Sequence, residues 1–369
     1  MTSSSLSKLA RVFLASATVL ASAVVPSQAC TGIELTNKDG STVSGRTVEF
    51  GVKIDASIAI VPHGFAFTGR TPAGDGLKYT AKHAAVGVYA YSDVKLMDGI
   101  NDAGLVAGAF YLPTYADYTP VTAENQAKGV SPAEFPNFLL TQYASVDEVR
   151  KAIAAGDVVI TPTVLPGWGA AAPPFHYVVY DKTGASIVIE PIGGKLVVHD
   201  DPLGVVTNSP TFDWHMTNLS NYVTMTGKNI ERIDLAGKEI RGLGQGSGML
   251  GLPGDFTPPS RFVRAVAFSK TALPVERARD GVLQAFHLLN QFDIPKGAAR
   301  GVEHGQEVAD YTLWTSAADL KNLRYYFRTY DSSRIRMVDM KAVDLDAKEI
   351  KKISMKGEEE IEDVSGKAK

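Results

Sequence analysis

The apolar positions of this chain change period along its length, and those changes outline its elements. Residues 30–50, CTGIELTNKDGSTVSGRTVEF, alternate in two runs about the turn NKDGS, which predicts a β-hairpin. Three further apolar runs, ASIAIVPHG, AVGVYAY and GLVAGAFYL, are each bounded by Gly, Pro, Asp or Asn and read as strands. The period then lengthens. SPAEFPNFLLTQYA and SVDEVRKAIAAGD predict helices; in the second, Ser145 and Glu148 have the spacing of a capping box and Gly156 supplies a stop. Strands return in FHYVVYDKTGASIVIEPIGGKLVVHD, with turns at DKTG and IGGK. Apolar i, i+3, i+4 spacing predicts helices in TPPSRFVRAVAFSKTA and PVERARDGVLQAFHLLNQF. ADYTLWTSAADL and LRYYFRTYD close the pattern as strands. Between the helical and strand blocks, residues 218–256 form a long Gly-rich excursion with no evident strand partner. No repeat and no Pro/Ser linker divides the chain, so residues 30–345 read as one α+β domain. The charged residues 346–369 form a tail expected to fray. Two antiparallel sheets covered by helices satisfy this order of elements.

The first 29 residues follow a different plan. Lys8 and Arg11 precede the apolar run VFLASATVLASAVV, and small residues, SQA, end at Ala29. This is the layout of a secretory signal peptide cut at Ala29–Cys30. The run is too short to span a bilayer, so stable membrane insertion is not expected, and the chain is expected to be exported to the periplasm or secreted. A lipoprotein acylated on Cys30 is the rival reading; Ser27 stands at −3, where such signals carry Leu, Val or Ile. The formal net charge of −3 and the absence of any basic run argue against nucleic-acid partners.

Cys30 is the only cysteine in 369 residues, so no internal disulfide can form. The seven histidines show no H-x-H or H-x-x-x-H spacing, and no P-loop or G-x-S-x-G elbow is present. Neither metal nor cofactor is therefore expected. A Cys–His dyad stays open, but cleavage before Cys30 creates a base of its own. An α-amine, with a pKa of about 7.7–8, would lie within one residue of the thiol and could take its proton. The alternative is an inert cysteine that happens to follow a signal site.

Further segments carry a family resemblance. CTGIELTNKDGSTVSGRTVEF, DGINDAGLVAGAFYLP, VVTNSPTFDWHMTNLSNY and LGLPGDFTPPSRFVRA together resemble the choloylglycine hydrolase family, from Cys30 to about Asp344. That family includes conjugated bile salt hydrolases and penicillin V acylases, N-terminal nucleophile amidohydrolases with a four-layer αββα sandwich fold. The resemblance implies Cys30 as nucleophile and Arg46 as the cation beside it. It places Glu49 where the family usually has Asp, Asn208 as side-chain donor to the oxyanion, and Arg261 as the last catalytic arginine. Tyr111 falls at an oxyanion-hole position that is Asn in many bile salt hydrolases and Tyr in penicillin V acylases. Each residue has an ordinary alternative: an Arg46–Glu49 surface ion pair, a turn role for Asn208, core packing for Tyr111. Arg261 at a helix start opposes the helix dipole, which favours a task for it. Trp214 and His215 read as packing. The implied substrate is a small-molecule amide: a glycine- or taurine-conjugated bile salt first, penicillin V or an N-acyl homoserine lactone as alternatives. A catalytically silent exported binding protein is the reading from a different class. The resemblance also implies a homotetramer in which residues 218–256 embrace a neighbour.

Overall fold

A computed structural model describes residues 29–90, 96–165, 170–303 and 306–368. The expected leader, apart from Ala29, lies outside the described residues. Two antiparallel sheets form the frame. The first runs Val205–Val206, Cys30–Thr36, Thr42–Phe50, Gln306–Asp319, Arg324–Thr329, Ser332–Asp339, with Ala299–Glu303 paired onto its long strand. The second runs Lys195–Asp200, Ser186–Ile192, Phe175–Asp181, Leu105–Tyr111, Leu96–Asn101, Ala85–Ala90, Ala56–Val61, Lys351–Ser354.

Helices α1 (Phe135–Gln142) and α2 (Val146–Ala155) cover the second sheet. Helix α3 (Phe212–Asn218) is a short element packed against α4 (Pro258–Thr271), and α4 and α5 (Ala278–Leu289) cover the first sheet. The result is the four-layer αββα arrangement. Central strands in such a stack are covered on both faces, and Thr42–Phe50 and Leu105–Tyr111 are buried at every position. The sheets approach closely at the site. A Cβ on Gly32 would lie 2.8 Å from the Phe110 ring, and one on Gly108 would lie 3.0 Å from Arg46 Nη1. A side chain at Gly32 would displace Phe110 or Val206, and one at Gly108 would crowd Arg46.

Helix α2 starts and stops as its sequence predicts. Ser145 Oγ accepts from Glu148 N at 3.3 Å, Glu148 Oε2 accepts from Ala144 N at 2.8 Å, and Gly156 adopts φ 67°. The tail departs from expectation. Lys351–Ser354 pairs with Ala56–Val61 as the last strand of the second sheet, and Met355 is buried beyond it. Strand pairing uses backbone groups, so a charged segment can add to a sheet edge without apolar alternation. Residues 218–256 likewise supply their own partner, a hairpin of Ile233–Leu235 with Lys238–Ile240. No helix among the described residues is long and apolar enough to cross a membrane.

Candidate active site

Cys30 begins the hairpin strand of the first sheet, opposite Val48. The peptide bond to Ala29 is intact in this structure, and the Ala29 carbonyl accepts from Glu49 N at 2.9 Å. Cys30 is buried, 5% exposed. Burial pushes its thiol up, while the charges of Arg46 and Arg261 pull it down and that of Glu49 raises it. In the uncut chain burial outweighs both arginines. Arg46 is held in place by three contacts. Its Nη1 donates to Ala109 O at 2.8 Å, its Nε lies 3.5 Å from Asp98 Oδ2, and its guanidinium sits 4.0 Å over the Phe110 ring.

The six residues singled out in the sequence converge. Asn208 is the hub. Its Oδ1 accepts from Cys30 N at 2.8 Å and from Arg261 Nη2 at 2.6 Å, while its Nδ2 donates to Tyr111 O at 2.8 Å. Two donors face the oxygen and a carbonyl faces the nitrogen, which fixes the amide's orientation. An amide nitrogen has a second hydrogen to give, so Asn208 can place the Cys30 amine and donate to an oxyanion at once. Arg261, fully buried in the first turn of α4, spans the rest. Its Nη1 donates to Cys30 O and, at 2.9 Å, to Thr31 Oγ1; its Nε donates to Phe256 O at 2.9 Å. Those acceptors offset a cation at the positive end of the helix.

Tyr111 lies opposite Phe175 at the end of its strand. Leu112 N reaches Pro174 O at 2.7 Å, so Tyr111 and Phe175 are a non-hydrogen-bonded pair. The backbone N–H and C=O of Tyr111 therefore turn together to the side where Asn208 waits. A narrow cleft, lined by Cys30, Arg46, Glu49, Met97, Tyr111, Phe175 and Trp314 among others, opens at the nucleophile. A larger neighbouring cleft shares Ile54 and Trp314 with it.

Glu49 is buried, not half of a surface pair with Arg46. Burial pushes its carboxyl up to about 8, against the charge of Arg261 and a hydrogen bond from Thr312. Thr312 Oγ1 accepts from Ile294 N at 2.9 Å, so its single proton goes to Glu49 Oε1 at 3.1 Å. That bond anchors the longer acid. The folded-state pKa lies above the unfolded value of about 4.3, so ionising Glu49 erodes stability as pH rises through that interval. Glu49→Gln in the uncut chain should match the wild-type Tm near pH 4.5 and exceed it at pH 8.5. Equal melting temperatures at both values would contradict this.

Trp214 is 43% exposed and packs edge-on against the His215 ring, 5.6 Å away. His215 packs as expected, stacked on Phe262 at 4.7 Å, and its Nε2 also donates to Asn208 O at 2.7 Å. Burial holds its pKa down to about 4, so it stays neutral. Residues not singled out in the sequence also belong here. Asp98 neighbours Arg46 and accepts from Tyr325 Oη; Thr31 and Thr312 bind Arg261 and Glu49. A lone acid inside the apolar run LMDGIN was the available signal for Asp98. No cluster of metal-ligating side chains occurs among the described residues.

Comparison with known proteins agrees with this geometry. The family described as linear amide C–N hydrolases, choloylglycine hydrolase family, matches residues 30–353. A bile salt hydrolase/transferase of Clostridium perfringens is 34% identical over 87% of this chain and 95% of its own. A penicillin V acylase of Pectobacterium atrosepticum is 27% identical over 82% of this chain and 77% of its own. A solved conjugated bile acid hydrolase variant from Clostridium perfringens superposes with a TM-score of 0.80 at 31% identity, covering 91% of this chain and 100% of its own.

Proposed function

The chain belongs to the choloylglycine hydrolase family of linear amide C–N hydrolases, and from that premise we propose that it is an exported cysteine amidohydrolase, with Cys30 as N-terminal nucleophile, acting on glycine- or taurine-conjugated bile salts. The observation that carries the chemistry is the Asn208 amide, one end on Cys30 N and the other on Tyr111 O. Cleavage after Ala29 turns Cys30 N into an amine that keeps Asn208 Oδ1 as partner. The amine takes the thiol proton, and the sulfur attacks the substrate carbonyl. The oxyanion forms beside Asn208 Nδ2 and the Tyr111 N–H. As the C–N bond breaks, the amine returns the proton to the leaving nitrogen. Water then hydrolyses the thioester. One oxyanion donor is worth about 2.7–4 kcal/mol. The start of the family match at Cys30 and the leader-like residues 1–29 support processing and export.

Substrate preference rests on the conjugated bile acid hydrolases among the relatives. A hydrolysis panel of glycocholate, taurocholate, penicillin V and a long-chain N-acyl homoserine lactone tests it; no turnover of either conjugate would reject it, and no turnover of any would favour a silent binding protein. Intact mass separates a free Cys30 from a lipoprotein's acylated one. Tyr111 favours the penicillin V reading, because with Phe175, 6.2 Å away and edge-on, it lines the cleft with aromatic faces. Aromatic contacts add about 0.5–1.5 kcal/mol. Tyr111→Asn should therefore lower kcat/KM for penicillin V relative to glycocholate about two- to thirteen-fold. An unchanged ratio would place the ring outside the acyl pocket.

Assembly is proposed from the exposed hairpin region. Val223, Ile230, Ile233, Leu235, Leu243 and Leu250 are all exposed in the single chain, an apolar surface unfavourable in water. The expected state is a homotetramer built through residues 218–256. Light scattering at micromolar concentration should give four times the chain mass; a monomer would refute it.

A further inference from the structure

Two buried polar side chains outside the catalytic set grip the turn that carries Asn208. His176 and Glu190 lie on adjacent strands of the second sheet, in the register that sets Tyr177 opposite Ile189. His176 Nδ1 is 3.2 Å from Glu190 Oε1, and its Nε2 is 3.1 Å from Thr207 O. The same Glu190 oxygen accepts from Phe212 N at 2.9 Å. The pair therefore holds both ends of the segment 207–212: His176 at the carbonyl preceding Asn208, Glu190 at the first residue of α3. Glu190 is 0% exposed and His176 2%. Glu190 Oε2 lies 3.3 Å from His199 Nε2, whose side chain reaches partly into solvent. Burial pushes the Glu190 carboxyl up, but the two histidines outweigh it and hold it at about 2.

A buried polar pair of this kind is not in general more stabilising than apolar side chains of the same volume. Its presence here calls for an account in what it touches. Asn208 must present Oδ1 to the Cys30 nitrogen and Nδ2 toward Tyr111, on two different sheets. A short turn has no ladder of its own to fix that aim. We propose that the His176–Glu190 pair is the positioning device for Asn208, tying its turn to the second sheet so that the amide stays registered between Cys30 and Tyr111. The pair touches neither substrate nor nucleophile and acts only through the turn. His215, bonded to Asn208 O, is a third tether from the turn's own helix.

This inference rests on Asn208 as oxyanion donor, and the test separates the two. Glu190→Ala and Glu190→Gln are compared with wild type for kcat and KM, with folding checked by circular dichroism and Tm. A displacement of about 1 Å in a catalytic group can cost about 100-fold, so Glu190→Ala should lose about 10- to 100-fold in kcat while KM moves less than about threefold. Glu190→Gln keeps an oxygen for Phe212 N and should retain kcat within about threefold. A folded Glu190→Ala enzyme with wild-type kcat, or equal losses in both variants, overturns the proposal. If Glu190→Ala does not fold, His176→Asn, which removes the tie to Thr207 O, is read in the same way. A wild type that hydrolyses none of the panel amides rejects the functional reading itself, whatever the variants do.

Discussion

Cys30→Ser should fold like the wild type and lose about 10³-fold or more in kcat, since removing a nucleophile that acts as part of a unit abolishes most of the unit's contribution. The substitution changes one atom in a buried position, and the backbone contacts of residue 30 remain: N–H to Asn208 Oδ1, C=O to Arg261. Stability should therefore move little. Chemistry should move a great deal, because an amine of pKa near 8 can deprotonate a thiol of about 8.5 but not a serine hydroxyl to any useful extent. Iodoacetamide supplies the complementary measurement. The chain contains one cysteine, so complete inactivation should coincide with one label per chain by mass. A fully labelled, fully active enzyme would remove Cys30 from the mechanism and leave the convergence of Asn208, Arg261 and Arg46 on it without a catalytic account.

How much of this was legible in the sequence depends on the kind of feature. The hairpin of residues 30–50 and the caps of α2 were read correctly because local chemistry decides them: a turn motif, a serine at an N-cap, a glycine at φ 67°. Helix α3 was missed, since seven residues are too few to show a period. Leu96–Asn101 was missed because Asp98 and Gly99 interrupt its apolar run, and the burial of Asp98 is a tertiary fact that needs Arg46 and Tyr325 beside it. The hairpin Ala66–Thr71 with Gly74–Thr80 was missed for a similar reason: its residues are mostly polar and interrupted by glycine.

The site divides in the same way. Cys30 stood out by being unique, and the setting after a small-residue run gave it a base. Asn208 and Arg261 have no periodic signature; resemblance marked both, a cation set against the helix dipole added weight for Arg261, and only the fold shows why their residue types are needed. Asn208 requires a group with an acceptor and donors at one end of a short side chain, because it faces donors on one sheet and a carbonyl on the other. Arg261 requires several donors in a planar fork, because it meets Cys30 O, Thr31, Phe256 O and Asn208 together. His176 and Glu190 were invisible as a pair, since only strand register brings residues fourteen apart face to face.

The uncut chain should be the least active form of the protein, with turnover at least about 100-fold below that of the same chain starting at Cys30, the lower end of what a positioned general base contributes. Three features of the uncut form act together. Cys30 N is an amide and has no lone pair to accept a proton. The thiol is buried and its pKa is raised by that burial. Ala29 is itself 3% exposed, and its carbonyl occupies the Glu49 N–H next to the nucleophile. Removing residues 1–29 creates the base and frees a backbone donor beside the nucleophile. The measurement is hydrolysis of the panel amides by preparations whose N-terminus is established by intact mass, before and after trimming. Iodoacetamide labelling should accelerate in parallel with turnover, because both report the same thiolate. If an untrimmed preparation, verified by mass, turns over as fast as the trimmed one, the amine is not the base. A side chain would then have to take the thiol proton, and buried Glu49, with its pKa near 8, would be the first to replace by Gln.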